Sequence, residues 1–281
     1  MNLRDWVGHC ETVCDVVTAT PYAALSATFD RPAQRPDDGT PLPELWHWLY
    51  FLPMPRRSEI GSDGHANKGG FLPPVSLPRR MWAGSQFSFH QTLCVGERLQ
   101  RTSTIADVTE KTGRTGMLVF VKVRHDIHRQ GQSDIALTEF HDIVYREAVK
   151  PDDMPPVPQA APRGATWEKH WVPDDVLLFR YSALTFNGHR IHYDRKYVTE
   201  VEGYPGLVVH GPLVATLLLD LLRHQMPEAV LLSYEFRAVR PLFDVHPFDV
   251  CGAPQPDGKT IRLWAKDHEG FLAMQATAVV R

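Results

Sequence analysis

The chain has 281 residues, of which 43% are hydrophobic, and this is enough to bury one large core or two modest ones. Its net charge of −3 gives no general attraction for nucleic acid or an anionic membrane, so a polyanionic ligand needs a local cluster of cations. The chain shows no signal-peptide pattern, no run as long and apolar as a membrane span and no Cys-x-x-Cys pair among its four cysteines, so we expect a cytoplasmic protein without disulfides or structural zinc.

The first half of the chain predicts one helix followed by several strands. Thr20 and Pro21 suit the cap and first turn of a helix, which we expect to run through residues 22–30. β-branched residues then alternate with polar ones, and polar turns separate the runs. The strands predicted from this alternation are 103–108, 117–127 and 136–145. Together they predict an antiparallel meander.

Residues 149–164 are predicted to be a linker. Five prolines fall within residues 149–163, which show neither a helical nor a strand period. The linker divides the chain into an N-terminal domain, residues 1–148, and a C-terminal domain, residues 165–281.

The second domain repeats the pattern of the first. The Asp-Asp pair at 174–175 opens a helix predicted to extend through residue 187, so that Thr-Phe-Asn at 185–187 matches Thr-Phe-Asp at 28–30. The later matches are in strands: 236–247 aligns with 87–97, and 260–265 and 271–280 repeat the meander. The predicted architecture is a duplicated α+β unit, in which one helix precedes a curling sheet.

A second helix in this domain is predicted to be buried on nearly every side. Residues 213–222 are almost wholly apolar, and the polar end of the helix follows at 223–225. Gly211 lets a ligand approach the backbone, and Pro212 suits a first helical position. The free amides and the positive end of the helix dipole could stabilise an oxyanion at this start. The alternative is an ordinary helix start without a chemical role.

The polar segment between residues 187 and 194 holds the candidate acid and base groups. His192 can exchange a proton near neutral pH, whereas Asn187 can hold a water but cannot take its proton. Asn187 could also simply form a turn before a glycine. Asp194 precedes a short predicted helix, which makes it either a cap or a replacement base. A metal site at His189, His192 and Asp194 is disfavoured because no fourth ligand is evident, so we predict no metal.

Residues 182–194, Ser-Ala-Leu-Thr-Phe-Asn-Gly-His-Arg-Ile-His-Tyr-Asp, resemble the hydratase motif of the MaoC-like, (R)-specific enoyl-thioester hydratases. Residues 206–213 resemble the segment that opens the central helix in that family. Residues 69–84 and 105–113 are similar to one branch of it, which contains hydroxyacyl-thioester dehydratase type 2 and the mesaconyl- and itaconyl-CoA hydratases. The resemblance spans the chain and implies an α+β, double hot-dog fold.

The resemblance also implies roles for individual residues. The family's catalytic aspartate falls on Asn187, its catalytic histidine on His192 and its oxyanion-binding glycine on Gly211. We therefore expect Asn187 to orient the water, His192 to exchange its proton and the Gly211 amide to polarise the thioester carbonyl. The first domain has Asp30 in the position of Asn187 but Arg35 in that of His192, which implies one competent site per chain. The degenerate first domain is then expected to shape the acyl pocket.

Substrate contacts are expected from cationic, imidazole and aromatic side chains near these positions. Arg79 and Arg80 could hold the phosphates of coenzyme A, although such pairs are usually solvated surface. Arg190 could pair with a carboxylate on the acyl group. Aromatic residues of the first domain could line the pocket or belong to the core. The remaining predicted substrate contacts are His189, His210 and Trp82.

The predicted reaction is the reversible hydration of an enoyl thioester, with a short branched or dicarboxylic enoyl-CoA such as mesaconyl-CoA or itaconyl-CoA as the substrate. The alternatives are dehydration of a 3-hydroxyacyl group on acyl carrier protein, a non-catalytic acyl-CoA binding protein and a hot-dog thioesterase. No cofactor is expected, since coenzyme A is part of the substrate. We expect no nucleic-acid or membrane partner, and either a monomer of two hot-dog domains or a homodimer.

Overall fold

A computed structural model describes residues 2–32, 35–113, 116–148 and 157–281. Ten antiparallel strands form one sheet, and four helices accompany it within these residues. In chain order the elements are β1 (Cys10–Val16), α1 (Ala19–Thr28), β2 (Arg79–Phe89), β3 (Arg98–Gly113), β4 (Gly116–Arg129), β5 (Ile135–Arg146), β6 (Trp167–Trp171), α2 (Asp175–Leu184), α3 (Arg195–Glu200), α4 (Gly211–Gln225), β7 (Leu231–Ala238), β8 (Phe248–Pro254), β9 (Thr260–Asp267) and β10 (Leu272–Val280).

The order of strands in the sheet repeats on either side of its centre. It reads β1, β3, β4, β5, β2, β7, β10, β9, β8, β6, so each half contributes five strands in the same relative order. β2 and β7 join the halves, with residues 84–88 paired antiparallel to 237–233. The predicted double hot-dog architecture is confirmed. The sequence patterns did not predict the edge strands β1 and β6, nor β8.

The described part of the predicted linker is held against the second half. Residues 149–156 lie outside the described residues. After them, Gln159 accepts a hydrogen bond from the Leu272 amide, and Ala161 donates one to Gly270. The chain therefore already pairs with β10 before β6 begins.

The ends of α1 and α2 correct the sequence alignment of the two halves by one residue. Asp30 and Phe186 both adopt a left-handed backbone, with φ of 57° and 50°. In the first half, the amide of residue 29 donates to the carbonyl of 25, that of 30 to 27 and that of 31 to 26. In the second half, the amide of residue 185 donates to the carbonyl of 181, that of 186 to 183 and that of 187 to 182. Arg31, and not Asp30, therefore corresponds to Asn187. Both helices also end before the predicted residues 30 and 187, because a left-handed residue cannot continue a right-handed helix.

The predicted buried helix is α4. Residues 213–222 are all buried, and they pack against β6, β8, β9 and β10. At 15 residues the helix is also too short to cross a membrane, and this holds for every helix in the described residues. The first half has no such helix between α1 and β2 among its described residues, and the buried 3-10 turn Trp46–Leu49 lies there instead.

A buried polar network occupies the inner face of the first half. The Glu139 carboxylate accepts a hydrogen bond from Trp48 Nε1 at 3.0 Å, and His47 Nε2 lies 3.0 Å from its other oxygen. His141 contacts the same carboxylate and is hydrogen-bonded in turn to His125. Burial alone would raise the pKa of Glu139, but the His141 and His47 imidazoles outweigh it and hold that pKa well below its usual value. The network keeps a carboxylate charged inside the protein.

One charged residue interrupts the apolar surface of α4 and links the halves. The buried Asp220 carboxylate contacts the guanidinium of Arg31, and Arg223 Nη2 lies 3.8 Å from it. Arg223 Nη1 also donates to Glu44 at 3.2 Å. Because Arg31 and Glu44 belong to the first half, these ion pairs fix α4 against it.

Replacing Asp220 with asparagine should destabilise the fold, because it removes the carboxylate that contacts the partly buried Arg31 and leaves Arg223 paired with Glu44 alone. Arg31 keeps partial access to water, so we expect a loss of about 1–3 kcal/mol in the free energy of unfolding, measured by urea denaturation. Asp134→Asn, on an exposed turn, is the matched control and should change it by less than about 0.5 kcal/mol. Equal stabilities of the two variants would contradict this account of Asp220.

Candidate active site

The histidine motif follows α2 in an irregular stretch fixed by local hydrogen bonds. The left-handed Phe186 ends the helix, and Asn187 Oδ1 then accepts a hydrogen bond from the His189 amide at 3.0 Å. A 3-10 turn, Arg190–His192, leads to α3. These local bonds direct the chain so that His192 lies inside the protein, with 8% of its surface exposed.

His192 has the geometry of a proton acceptor. Its Nδ1 lies 2.7 Å from the carbonyl oxygen of Val208, and since a carbonyl can only accept, Nδ1 carries the hydrogen. Nε2 then holds the free lone pair. Burial lowers the pKa of His192 to about 4, despite the opposing hydrogen bond to Val208. The imidazole is therefore neutral at neutral pH.

His210 stacks on His192 at the start of α4. The ring centroids are 3.8 Å apart and the planes are 18° apart. His210 is fully buried, and its Nε2 is 2.8 Å from the hydroxyl of Ser182. Its Nδ1 has no hydrogen-bonding partner in the described part of the chain. Burial holds the pKa of His210 well below its usual value, so two neutral imidazoles lie face to face.

The helix start beside these rings is open to a ligand. Gly211 is the first residue of α4, and no acceptor in the described ranges receives its amide hydrogen. A Cβ atom added to Gly211 would meet only Met274 Cε, at 4.0 Å. The protein itself leaves room here, and the amide with its helix dipole can bind a developing negative charge.

Asp194 and Arg190 are both engaged in structural contacts. Asp194 Oδ1 accepts from the Tyr197 amide and so caps α3, as one of the two predicted alternatives required. Its Oδ2 accepts from Arg190 Nε and Nη2, at 3.0 and 2.8 Å. The cap and the ion pair lower the pKa of Asp194. The cap and the ion pair therefore make Asp194 a poor proton acceptor.

A loop from the first half, which includes residues 62–64, is hydrogen-bonded to the histidine motif. The Arg190 amide donates to the Asp63 carbonyl at 2.9 Å, and Arg190 Nη1 donates to the Ser62 carbonyl at 3.0 Å. Gly64 lies against Gly188 so closely that a Cβ on Gly64 would be 1.8 Å from the Gly188 oxygen. Gly64 also has φ of +90°, which favours glycine. The site is therefore built from both halves of the chain.

This loop carries two site residues that the sequence analysis missed. Asp63 Oδ2 is 2.9 Å from His65 Nδ1, and the His65 ring lies 3.9 Å from the ring of His189. The ligand atoms of Asp63, His65 and His189 all lie within 4.8 Å of one another, so they could also hold a metal ion. The Asp-Gly pair at 63–64 indicates a tight turn, but nothing in one sequence places that turn beside His189.

The predicted first-half substrate contacts fall in two places on β2. Arg79 Nη2 forms an ion pair at 3.2 Å with Glu202, which follows α3 in the chain. The charge of Arg80 contributes to lowering the pKa of His189, although burial is the main cause and brings it to about 2. Trp82 instead joins the polar network of the first half, where its ring lies 4.2 Å from that of His141. Trp82 thus contacts a first-half histidine, whereas Arg80 acts on His189 through its charge.

A groove of about 700 Å³ crosses the sheet at a different place. Polar side chains of β2, β5, β7 and β10 contribute to its lining, among them Gln86, Asp142, Arg237 and Gln275. None of the motif histidines borders it. This groove is therefore not the predicted acyl tunnel.

Comparison with known proteins gives relatives and solved structures that match most of the chain. The family model for hydroxyacyl-thioester dehydratase type 2 matches residues 45–244. The chain is 45% identical to the mesaconyl-C(4)-CoA hydratase of Chloroflexus aurantiacus, over 97% of this chain and 95% of that protein. A solved MaoC-like dehydratase superposes with a TM-score of 0.73 at 14% identity, over 100% of this chain and 99% of the other. A double hot-dog protein of Mycobacterium tuberculosis gives a TM-score of 0.58 at 13% identity, over 98% and 96%.

Replacing Gly64 with alanine should release the loop, because the new Cβ would overlap the Gly188 carbonyl and the left-handed backbone would be strained. We expect a loss of about 1–3 kcal/mol in stability and faster tryptic cleavage at Lys68. Gly70→Ala is the control, since a Cβ there meets open space. If Gly64→Ala matches Gly70→Ala in both thermal unfolding and limited proteolysis, the loop is not held by this contact.

Proposed function

The chain belongs to the hydroxyacyl-thioester dehydratase type 2 family and is a hydro-lyase that hydrates an enoyl thioester, and we propose that its substrate is a short dicarboxylic or branched enoyl-CoA such as mesaconyl-CoA. The observation that carries this proposal is the 45% identity to the Chloroflexus hydratase over nearly the whole of both chains. The geometry of the motif is compatible with it. A neutral imidazole stands beside an open helix start, which are the two groups that addition of water to a polarised double bond requires.

In the proposed mechanism, His192 activates the water. Its Nε2 takes one proton as the water oxygen bonds to Cβ of the enoyl group, and the π electrons move toward the thioester oxygen. The Gly211 amide, at the positive end of α4, stabilises the resulting enolate. A proton then adds to Cα and gives the 3-hydroxyacyl thioester. Dehydration follows the same steps in reverse.

Asn187 acts on the water only as a hydrogen-bonding group. Its Oδ1 already accepts from the His189 amide, which leaves the amide nitrogen to orient a water oxygen. An amide cannot take the proton of that water. His210 is proposed to contact the substrate through Nδ1, a buried atom that has no hydrogen-bonding partner within the described residues.

The cationic residues near the site have two proposed roles, which are to bind the substrate and to hold the motif in place. We propose Arg80 as the first contact for a coenzyme A phosphate or an acyl carboxylate, since its charge acts on His189 and, within the described ranges, no carboxylate lies within 4.0 Å of its guanidinium. Arg79 is a weaker second contact because Glu202 already neutralises it. Arg190 holds Asp194 and the first-half loop together, so its role is to position the motif.

The two halves are proposed to have different tasks. Residues 165–281 carry the catalytic motif, and residues 1–148 shape the acyl pocket, with 149–164 as the linker. The inner face of the first half supports this division, because it has aromatic and polar side chains where the second half is filled by α4. The β2–β7 pairing gives one chain both units, so a monomer would suffice for a complete site.

A panel of acyl-CoA substrates tests the proposed function. Mesaconyl-, itaconyl- and crotonyl-CoA are added to the purified protein, and loss of the enoyl-thioester absorbance is followed. We expect kcat/KM to be at least about tenfold higher for a dicarboxylic substrate than for crotonyl-CoA, by about 1.4 kcal/mol of transition-state stabilisation. Release of free thiol would indicate a thioesterase, and binding without turnover a carrier. Preference for acyl carrier protein substrates would favour a fatty-acid dehydratase.

His192→Ala should reduce kcat by about 10²–10⁴-fold, because it removes the proton acceptor, while thermal unfolding stays close to wild type. His224→Ala, at the exposed end of α4, is the control. The pKa of about 4 keeps His192 neutral across the neutral range, so on the acid side of the profile kcat/KM should not fall until the pH approaches about 4. Normal turnover by His192→Ala would overturn this assignment.

A further inference from the structure

Hydration of an enoyl thioester needs two proton transfers, one from the water and one to Cα. The motif supplies one clear acceptor in His192, and Asn187 cannot donate or accept a proton as a carboxyl group does. Asp194 is engaged by Tyr197 and Arg190. A second acid–base group elsewhere in the site would deliver the proton to Cα without returning it through His192.

The first-half loop presents a carboxylate-supported imidazole. Asp63 Oδ2 lies 2.9 Å from His65 Nδ1, and Asp63 Oδ1 accepts from the His65 amide at 3.0 Å. Both carboxylate oxygens therefore hold His65. Since Asp63 is an acceptor, Nδ1 carries the hydrogen and Nε2 is the atom that can exchange a proton.

This imidazole is linked to His192 through the ring of His189. The His65 ring is 3.9 Å from the His189 ring, which is in turn 5.5 Å from that of His192. A positive charge on His65 would lower the pKa of His192, after the larger effect of burial, so the two groups act on each other. His189 between them is held neutral, because burial brings its pKa to about 2. The other charged groups near this pair are Arg80, Lys68 and Arg190.

The loop is also rigidly placed, as a group that delivers protons must be. The Gly61 amide donates to the His65 carbonyl at 2.8 Å and closes the loop. Arg190 binds the carbonyls of Ser62 and Asp63, and Gly64 rests on Gly188. Asp63 and His65 are both partly buried. These contacts fix the pair relative to the motif more firmly than a free surface loop would.

We propose that His65, oriented by Asp63, is the second acid–base group of the hydratase site and delivers the proton to Cα. This inference rests on the proposed function. In hydration, His192 takes a proton from water as the oxygen bonds to Cβ, and the protonated His65 gives its Nε2 proton to Cα as the enolate collapses. The proton on His192 then returns to His65 through water, which restores the starting state.

The same residues could instead bind a divalent metal ion with His189, and that outcome is a competing result of the test. Both oxygens of Asp63 are already hydrogen-bonded to His65, so the pair is oriented without a metal ion. A metal ion would have to displace the hydrogen bond to Nδ1 or bind Nε2, the atom that the acid–base role uses.

The test compares His65→Gln, Asp63→Asn and Asp63→Glu with His90→Gln, an exposed first-half histidine, as the control. We expect His65→Gln to lower kcat about 10²–10³-fold with KM changed less than about threefold, and to abolish the alkaline limb of the pH profile. Asp63→Asn should lower kcat about 10–100-fold and move that limb to lower pH, because the imidazolium loses its partner. Asp63→Glu should recover part of the rate. Thermal unfolding of each variant separates misfolding from lost chemistry.

Three results would overturn the assignment. If His65→Gln keeps its rate and its alkaline limb while the wild type is active, the pair is not part of the chemistry. If chelation inactivates the wild type and Zn²⁺ or Co²⁺ restores it, the three residues form a metal site instead. If wild type hydrates none of the enoyl thioesters, the proposed function fails and the acid–base role fails with it. If His65→Gln unfolds, imidazole is added to a folded His65→Ala variant and its turnover is measured. Failure of imidazole to restore turnover counts against the proposal.

Discussion

The antiparallel pairing of β2 with β7 is the contact on which the rest of the molecule depends. It joins two half-sheets through residues 84–88 and 233–237 and makes their inner faces continuous, so that Phe87 packs against both Tyr234 and Phe236. The beginning of β2 and the loop before it are thereby brought to α3 and the histidine motif. Neither half has a complete site without the other.

Burial sets the protonation states of the histidines where the two halves meet. Burial keeps His192 and His210 neutral, and the Val208 carbonyl selects the tautomer of His192 that leaves Nε2 free. The loop residues Asp63 and His65 differ from these histidines in being more accessible to water, and the Asp63 carboxylate fixes the orientation of the His65 imidazole.

The local features of the chain were predictable, whereas those set by distant contacts were not. Alternation predicted the meanders, and Asp174, Asp194 and the apolar run of α4 behave as their residue types indicate. The alignment of the two helix ends was wrong by one residue, because backbone conformation and not side-chain likeness sets it. Asp63 and His65 gave no signal, since their role depends on a contact across the sheet. The individual roles of the site residues stay predictions.

The hydrogen bond from Arg190 to the Ser62 carbonyl joins residues that are 128 positions apart in the chain. Contacts of such long range form late in folding, since a large loop must close before they are gained. During synthesis the first half leaves the ribosome, and can form its own sheet, long before the motif exists. A first half without its partner would leave the edge of β2 unpaired, which is the kind of edge that invites pairing with another chain.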